Sequence, residues 1–241
     1  MFSDVLLTVD FDRTLTGPDS QIPQRNLDAI AWFTEHGGSF TVNTGRSVSS
    51  FGKHLETLPV NAPVLMYNGS ARWQAGNLED MKLLDLDLWE TVHECQRLFP
   101  DLTVEVQALD KHYDFAPNPA WDAFSAHNCA YATAQWGQDL GPFLKFSLYG
   151  EIRDVTVADL FEGSAEERAR MDEVEQLLNE KYGEHCEIFR ACPRIIDIHA
   201  KGVSKANIAR YMLSRLGKAR LVCVGDGEND VPMLDDADFS L

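Results

Sequence analysis

Asp10 and Asp12 stand two residues apart, with Thr14 two further on, in the run Asp10-Phe11-Asp12-Arg13-Thr14-Leu15-Thr16. A second acidic run, Gly225-Asp226-Gly227-Glu228-Asn229-Asp230, lies near the other end of the sequence. Carboxylates at i and i+2 of an extended chain point to opposite faces. Asp10 and Asp12 can therefore share a site only where the backbone turns. Close like charges repel, so such a site needs a cation, and Mg2+ suits all-oxygen ligands and phosphate chemistry. An EF-hand frame fails for both runs. A loop starting at Asp10 has Leu15 where Gly is needed and Gln21 where Glu is needed, and the second run has Val231 at the Gly position. One acidic turn alone reads equally well as a solvated turn; two at strand ends of one core favour a shared metal site.

Lys205 follows Ser204, a helix-capping residue type. A cation in a first helical turn is mildly disfavoured by the helix dipole, and a bound anion there is favoured. Lys205 fits best facing a phosphate; the alternative is a surface lysine in water. Thr44 offers a hydroxyl, and Gly45 allows close backbone approach to a ligand. Arg46 can pair with phosphate or with a core carboxylate.

These residues need elements to place them. Val5-Leu6-Leu7-Thr8-Val9 is a short apolar run of the kind buried on both faces of a parallel sheet. A turn region with Gly17, Pro18 and Asp19 follows. A helix is expected from Pro23, with Leu27, Ile30 and Ala31 on one face and Gly37-Gly38 as its stop. Phe40 to Val42 and Val64 to Tyr67 read as strands ending in Asn43-Thr44-Gly45-Arg46 and in Asn68-Gly69. Leu221 to Val224 reads as another, ending in Gly225-Asp226. Ligands of open α/β sheets bind outside the carboxyl ends of the strands. Parallel strands would bring all these polar ends to one edge.

The middle of the chain differs in style. Leu102 to Val106 and Leu144, Phe146, Leu148 alternate apolar with polar residues, which predicts strands with one wet face. The charged stretch Ala165 to Tyr182 carries Met171, Val174, Leu177 and Leu178 at helical spacing, and residues 194–198 read as a strand. The expected fold is α/β: a Rossmann-like parallel-sheet core, residues 1–73 and 200–241, with an inserted α+β domain over 74–199.

A formal net charge of −17 argues against nucleic-acid binding and against an anionic membrane surface. Five cysteines without a C-x-x-C pair indicate neither a disulfide framework nor a zinc ribbon, and fit a cytoplasmic setting. The N-terminus lacks a basic signal region, and its apolar stretch is interrupted by Asp10.

The two acidic runs, Thr44-Gly45-Arg46 and Lys205 together resemble the four ordered motifs of the haloacid dehalogenase-like hydrolases. Asn68-Gly69 and Gly202-Val203-Ser204-Lys205 are similar to the Cof-type sugar-phosphatase branch, whose large C2-type α/β cap lies between the second and third motifs. The resemblance implies a Mg2+-dependent phosphatase of small phosphorylated metabolites. Asp10 would be the nucleophile and Asp12 the acid–base group. The metal would sit on Asp10, Asp12 (through its backbone carbonyl) and Asp226, supported by Asp230. Thr44, Lys205 and Asn229 would hold the phosphoryl oxygens, with Gly45, Arg46, Asn68 and Gly69 beside them, and the cap would choose the leaving group. Two departures stand out: Arg13 occupies a position usually held by Gly, and relatives continue past Phe239-Ser240-Leu241 with further core strands and a helix.

Alternatives are a phosphotransferase or mutase using the same aspartate, or a non-catalytic sensor of phosphorylated metabolites. An esterase elbow at Gly202-Val203-Ser204-Lys205-Ala206 fails, because that fold needs a histidine after the serine and the last one is His199. No Walker A or G-x-G-x-x-G sequence occurs.

Overall fold

The computed structural model describes residues 1–17, 20–115, 119–156 and 160–241. Pro18 and Asp19 of the expected turn lie outside them. The chain divides into two compact units: Met1–Arg46, Lys53–Met81 and Val203–Leu241 form the first, and Ser47–Gly52 with Lys82–Gly202 the second.

In chain order the elements begin with β1 (Val5–Val9), α1 (Gln24–Glu35), β2 (Ser39–Val42), α2 (Val48–Leu55), β3 (Val64–Met66), β4 (Ala71–Gln74) and β5 (Asn77–Glu79). Next come α3 (Leu88–Leu98), β6 (Thr103–Ala108), β7 (His112–Asp114), α4 (Pro119–Asn128), β8 (Tyr131–Thr133), β9 (Phe143–Tyr149), α5 (Ala165–Tyr182), β10 (Cys186–Cys192) and β11 (Ile195–Ala200). The chain closes with α6 (Lys205–Arg215), β12 (Arg220–Val224), α7 (Val231–Asp236) and β13 (Phe239–Ser240). The sequence boundaries expected at 73/74 and 199/200 fall inside β4 and β11.

The first unit is built on a parallel sheet in the order β13-β12-β1-β2. Leu6 pairs with Leu221 on one side, and Leu7 with Phe40 on the other. The apolar β1 run suits this central place, because both its faces are covered. Leu6, Leu65, Leu221 and Cys223 pack against Ile208, Ala209 and Met212 of α6 and Met233 of α7. Each Leu, Ile or Met side chain among them contributes roughly 1.5–3 kcal/mol by leaving water. β3 joins β4 and β5 in an antiparallel sheet, but a parallel bridge from Asn43 to Leu65 sets its end beside that of β2. Strands β12, β1, β2 and β3 thus present their carboxyl ends to one edge.

The helix after Pro23 forms, with a narrower apolar face than expected. Ile30 is buried and Leu27 half-buried, whereas Ala31 is exposed. Trp32 and Phe33 instead pack with Phe2, at ring distances of 5.5 and 5.0 Å.

The second unit holds a six-stranded sheet, β10-β11-β9-β6-β7-β8. One face is apolar and packs on α3 and α5 through Val92, Cys95, Met171, Val174 and Leu178. Leu177 of α5, expected on that face, is exposed instead. α5 itself runs over the expected residues, and a capping box between Ser164 and Glu167 starts it. The expectation of a wet face on β6 and β9 is overturned: Glu105, Gln107, Lys145 and Ser147 are all buried. They tolerate burial because most of their polar atoms find partners on the same sheet, although Gln107 Oε1 has none among the described residues. Lys145 Nζ and Ser147 Oγ donate to Asp197 at 3.0 and 2.7 Å, while Gln107 Nε2 and Tyr149 OH donate to Glu105 at 2.8 and 3.1 Å.

Candidate active site

Asp10 leaves β1 with its N–H donating to the Val224 carbonyl at 2.9 Å, which ties the ends of β1 and β12 together. A wide turn follows. Leu15 N–H donates to Asp10 O and Thr16 N–H to Phe11 O, both at 3.1 Å. The turn needs a left-handed residue at its middle, and Arg13 supplies it with φ 65°. This reversal lets Asp10 and Asp12 both serve the strand edge, which a straight strand would forbid. Thr14 Oγ1 closes the turn onto the second acidic run by donating to Asp226 Oδ1 at 2.6 Å.

Lys205 is not a surface lysine. It is 1 % exposed, and its Nζ lies 2.6 Å from Asp10 Oδ1 and 2.7 Å from Asp230 Oδ1. Ser204 caps α6 by accepting from Asn207 N–H at 3.0 Å. The cap fixes where the helix starts and so where Lys205 emerges. Gly69, at φ 103°, lets its turn approach α6: a Cβ there would meet the Ser204 carbonyl oxygen at 2.3 Å. Asn43, which the sequence reading passed over, donates from Nδ2 to the Lys205 carbonyl at 2.9 Å. Its one sequence signal is its place at the end of β2, directly before Thr44.

Thr44 is buried, and its Oγ1 accepts from Arg46 N–H at 3.1 Å. The Asn68 N–H donates to Thr44 O at 3.0 Å, and Asn229 Nδ2 donates to Asn68 Oδ1 at 3.1 Å. Thr44, Asn68 and Asn229, from three separate segments, are therefore one hydrogen-bonded group. Gly45 lies against Asn68, whose Oδ1 a Cβ would meet at 2.7 Å. Arg46 takes the carboxylate of the two partners open to it: Nε and Nη2 donate to the two Asp12 oxygens at 2.8 and 2.6 Å. That two-point grip fixes the Asp12 plane.

One carboxylate oxygen from each of Asp10, Asp226 and Asp230 lies within 4.8 Å of the others. This all-oxygen, tri-carboxylate set fits a hard divalent cation. Asp226 is exposed, while Asp10 and Asp230 are buried. Asp230 also accepts the backbone N–H groups of Asp226 and Gly227 at 3.2 and 3.0 Å, which folds the run around it. The Asp12 side chain stands outside this set, engaged by Arg46.

Burial pushes Asp10 up to about 7, against the Lys205 charge, with Asp230 and Asp12 adding to the rise. Burial also works against the charge of Lys205, but Asp10 and Asp230 outweigh it and hold its pKa above the ordinary lysine range. The site is a dense cluster of like charges in which Lys205 offsets only part of the repulsion. A divalent cation would offset more.

The second unit holds a constellation that sequence reading did not find. Ser47 Oγ lies 2.7 Å from His112 Nε2, and His112 Nδ1 lies 3.1 Å from Glu105 Oε2. This has the order of a nucleophile–base–acid chain, but Ser47 has no exposed surface and its Oγ already accepts the Ser50 N–H at 3.0 Å. It is a capped, buried structural chain.

Comparisons with known proteins bear on the same arrangement. A family model described as haloacid dehalogenase-like hydrolase matches residues 7–241. The chain is 23% identical over 235 residues to the Bacillus subtilis 5-amino-6-(5-phospho-D-ribitylamino)uracil phosphatase YcsE, covering 96% of this chain and 80% of that one. A solved protein of Streptococcus mutans UA159 superposes with TM-score 0.82 at 14% identity, over 100% of this chain and 86% of that chain. The subclass IIB sugar phosphatase BT4131 gives TM-score 0.73 at 16% identity, over 98% and 92%. With its strand-end aspartates and its parallel core, the chain belongs to the haloacid dehalogenase-like hydrolases and is an enzyme of their phosphatase type.

Proposed function

We propose that the chain hydrolyses the phosphate monoester of a small metabolite, a sugar phosphate or similar compound, through a phosphorylated Asp10. One observation carries this: the ends of β1, β12 and α6 converge on Asp10, which meets Lys205 at 2.6 Å inside a three-carboxylate cluster. A phosphoryl group needs a nucleophile, countercharge and a proton for the leaving oxygen, and this arrangement has a residue for each.

A carboxylate oxygen of Asp10 attacks phosphorus, and the bond from phosphorus to the ester oxygen breaks. Asp12 gives its proton to that oxygen. Water then attacks the phospho-Asp10 group and passes a proton back to Asp12, and the phosphorus–Asp10 bond breaks to release phosphate. Both Asp12 oxygens accept from Arg46 in the structure, so one of them must be released to carry the proton in each transfer. Lys205, Thr44 and Asn229 supply positive charge and hydrogen bonds to the phosphoryl oxygens. Mg2+ held by Asp10, Asp226 and Asp230, with the Asp12 backbone carbonyl, would neutralise phosphoryl charge when bound. The same reading assigns residues 1–73 and 200–241 to a catalytic core and 74–199 to its cap. A cytoplasmic location belongs to it too, supported by five free cysteines.

The test is release of inorganic phosphate from p-nitrophenyl phosphate and a panel of sugar monophosphates. The expected result is turnover with Mg2+, loss with EDTA, and a fall of at least 10³-fold in Asp10→Asn, in line with removal of a nucleophile. Turnover that survives Asp10→Asn would exclude the aspartyl mechanism.

A further inference from the structure

We propose that Asn43 is a positioning residue for the phosphatase reaction: its side-chain amide ties the first turn of α6 to the sheet and so sets Lys205 against Asp10. The inference rests on the phosphatase reading above and adds a residue outside those assigned to substrate and metal.

Asn43 directly follows β2 and is fully buried. Its backbone N–H donates to Val9 O at 3.0 Å, immediately before Asp10. Its Nδ2 donates to Lys205 O at 2.9 Å, and Lys205 Nζ returns to Asp10 Oδ1 at 2.6 Å. These links close a circuit. One residue grips the main chain beside both members of the central ion pair.

Neither partner needs the amide for its own sake. A helical carbonyl already accepts the N–H four residues on, so the Lys205 carbonyl is satisfied without Asn43. Asn43 itself keeps a buried acceptor, Oδ1, that meets no partner among the described residues. Burying such an oxygen costs stability, and an apolar side chain of the same size would avoid the cost. Its neighbours Val42 and Leu65 are buried and apolar. An amide kept among them at a cost to the fold calls for an explanation.

The explanation lies in how else α6 is held. Ile208, Ala209 and Met212 pack through apolar contacts, which are non-directional. The Ser204 cap fixes the residue at which the helix starts, not its distance from β1. The Asn43 amide is directional and reaches the Lys205 backbone itself. Catalytic groups tolerate little displacement, since a shift of about 1 Å can cost on the order of 100-fold in rate.

The experiment compares wild type with Asn43→Leu, which keeps the volume and loses the amide, and with Asn43→Ser, whose hydroxyl is too short to replace it. Both are assayed on p-nitrophenyl phosphate with Mg2+, at a temperature where circular dichroism shows them folded. The expected result is a fall in kcat/KM of about tenfold or more in each, while the urea midpoint of Asn43→Leu stays level or rises. A residue that only supported the fold would lose stability and activity together. Nδ2 also donates to Met233 Sδ at 3.4 Å, so Met233→Leu, a volume-conserving change, should leave kcat/KM within about twofold. Calorimetry with inorganic phosphate needs no turnover and should show Kd rising about fivefold or more in Asn43→Leu. A folded variant of either kind with wild-type kcat/KM, an equal loss in Met233→Leu, or failure of both Asn43 variants to fold overturns the proposal. A wild-type chain that releases no phosphate, yet binds it in an Asn43-dependent way, overturns the phosphatase reading and leaves the positioning role standing. A chain that neither turns over nor binds phosphate overturns both.

Discussion

At the scale of single residues, the site is governed by the cost of burying charge. Lys205 and Asp230 are each 1 % exposed, and Asp10 is nearly as enclosed. Groups in such a place hold their charge only if they face one another. Replacing Lys205 with Met would leave two aspartates buried without their cation, a change that costs about 3–5 kcal/mol. Urea unfolding of Lys205→Met in EDTA should show that loss, and part of it should return with Mg2+ if the cation sits on Asp10, Asp226 and Asp230. Arg13 works in the opposite sense. Its left-handed backbone costs roughly 1–2 kcal/mol in a residue with a Cβ, so Arg13→Gly should raise the unfolding free energy, read from urea unfolding, by an amount on the order of 1 kcal/mol or less, part of the relief being cancelled by the freer unfolded chain.

Among the elements, the tightest requirement is the approach of the β3 turn to the first turn of α6. Tyr67 and Asn68 are left-handed at φ 52° and 54°, and Gly69 follows at φ 103°. These residues pass Asn68 to Thr44 and Asn229 while bringing the backbone against Ser204. Gly69→Ala would set a methyl group 2.3 Å from a main-chain oxygen that cannot rotate away. The expected result is destabilisation of about 2 kcal/mol or more, typical of strain at a special backbone position. It should come with a fall in kcat larger than the change in KM, because Lys205 and Asn68 shift together. Circular dichroism melting and steady-state kinetics on the same preparation check both. An Ala variant with wild-type melting would show that α6 can retreat freely.

For the whole molecule, the feature with the clearest consequence is the buried polar face of the six-stranded sheet. His199 lies on it fully buried, and burial depresses its pKa to about 3 from 6.5, with Lys145 adding to the fall and Asp197 opposing it. The unfolded chain therefore binds a proton that the folded chain refuses between those values. The contribution of His199 to stability is complete above pH 6.5 and is lost as pH falls toward 3, by up to about 1.4 kcal/mol per pH unit. Urea midpoints at pH 7, 6, 5 and 4 should fall accordingly, and His199→Gln should flatten the slope. An identical slope in the variant would mean that His199 is protonated in the fold. Among the described residues no helix is long and apolar enough to cross a membrane.

The amino-acid sequence by itself determined the strand ends and the order of the acidic runs. Each rests on neighbours: a β-branched apolar run, then aspartates within a few residues. The parallel core and α5 were legible for the same reason, since periodicity and capping are local. Contrast between neighbours does not report exposure, however. Glu105, Gln107, Lys145 and Ser147 alternate with apolar residues as a solvated face would, yet partners on other strands bury them. Ala31 and Leu177 carry the apolar type without the burial. Lys205 could be read as facing a phosphate or facing water, and its partners are 195 and 25 residues away. The choice of Arg46 between phosphate and Asp12, the place of Asn43, and the chain from Ser47 to Glu105 are likewise long-range. Which charges meet is an outcome of packing, because an ion pair forms only where the fold has already removed the water between its members.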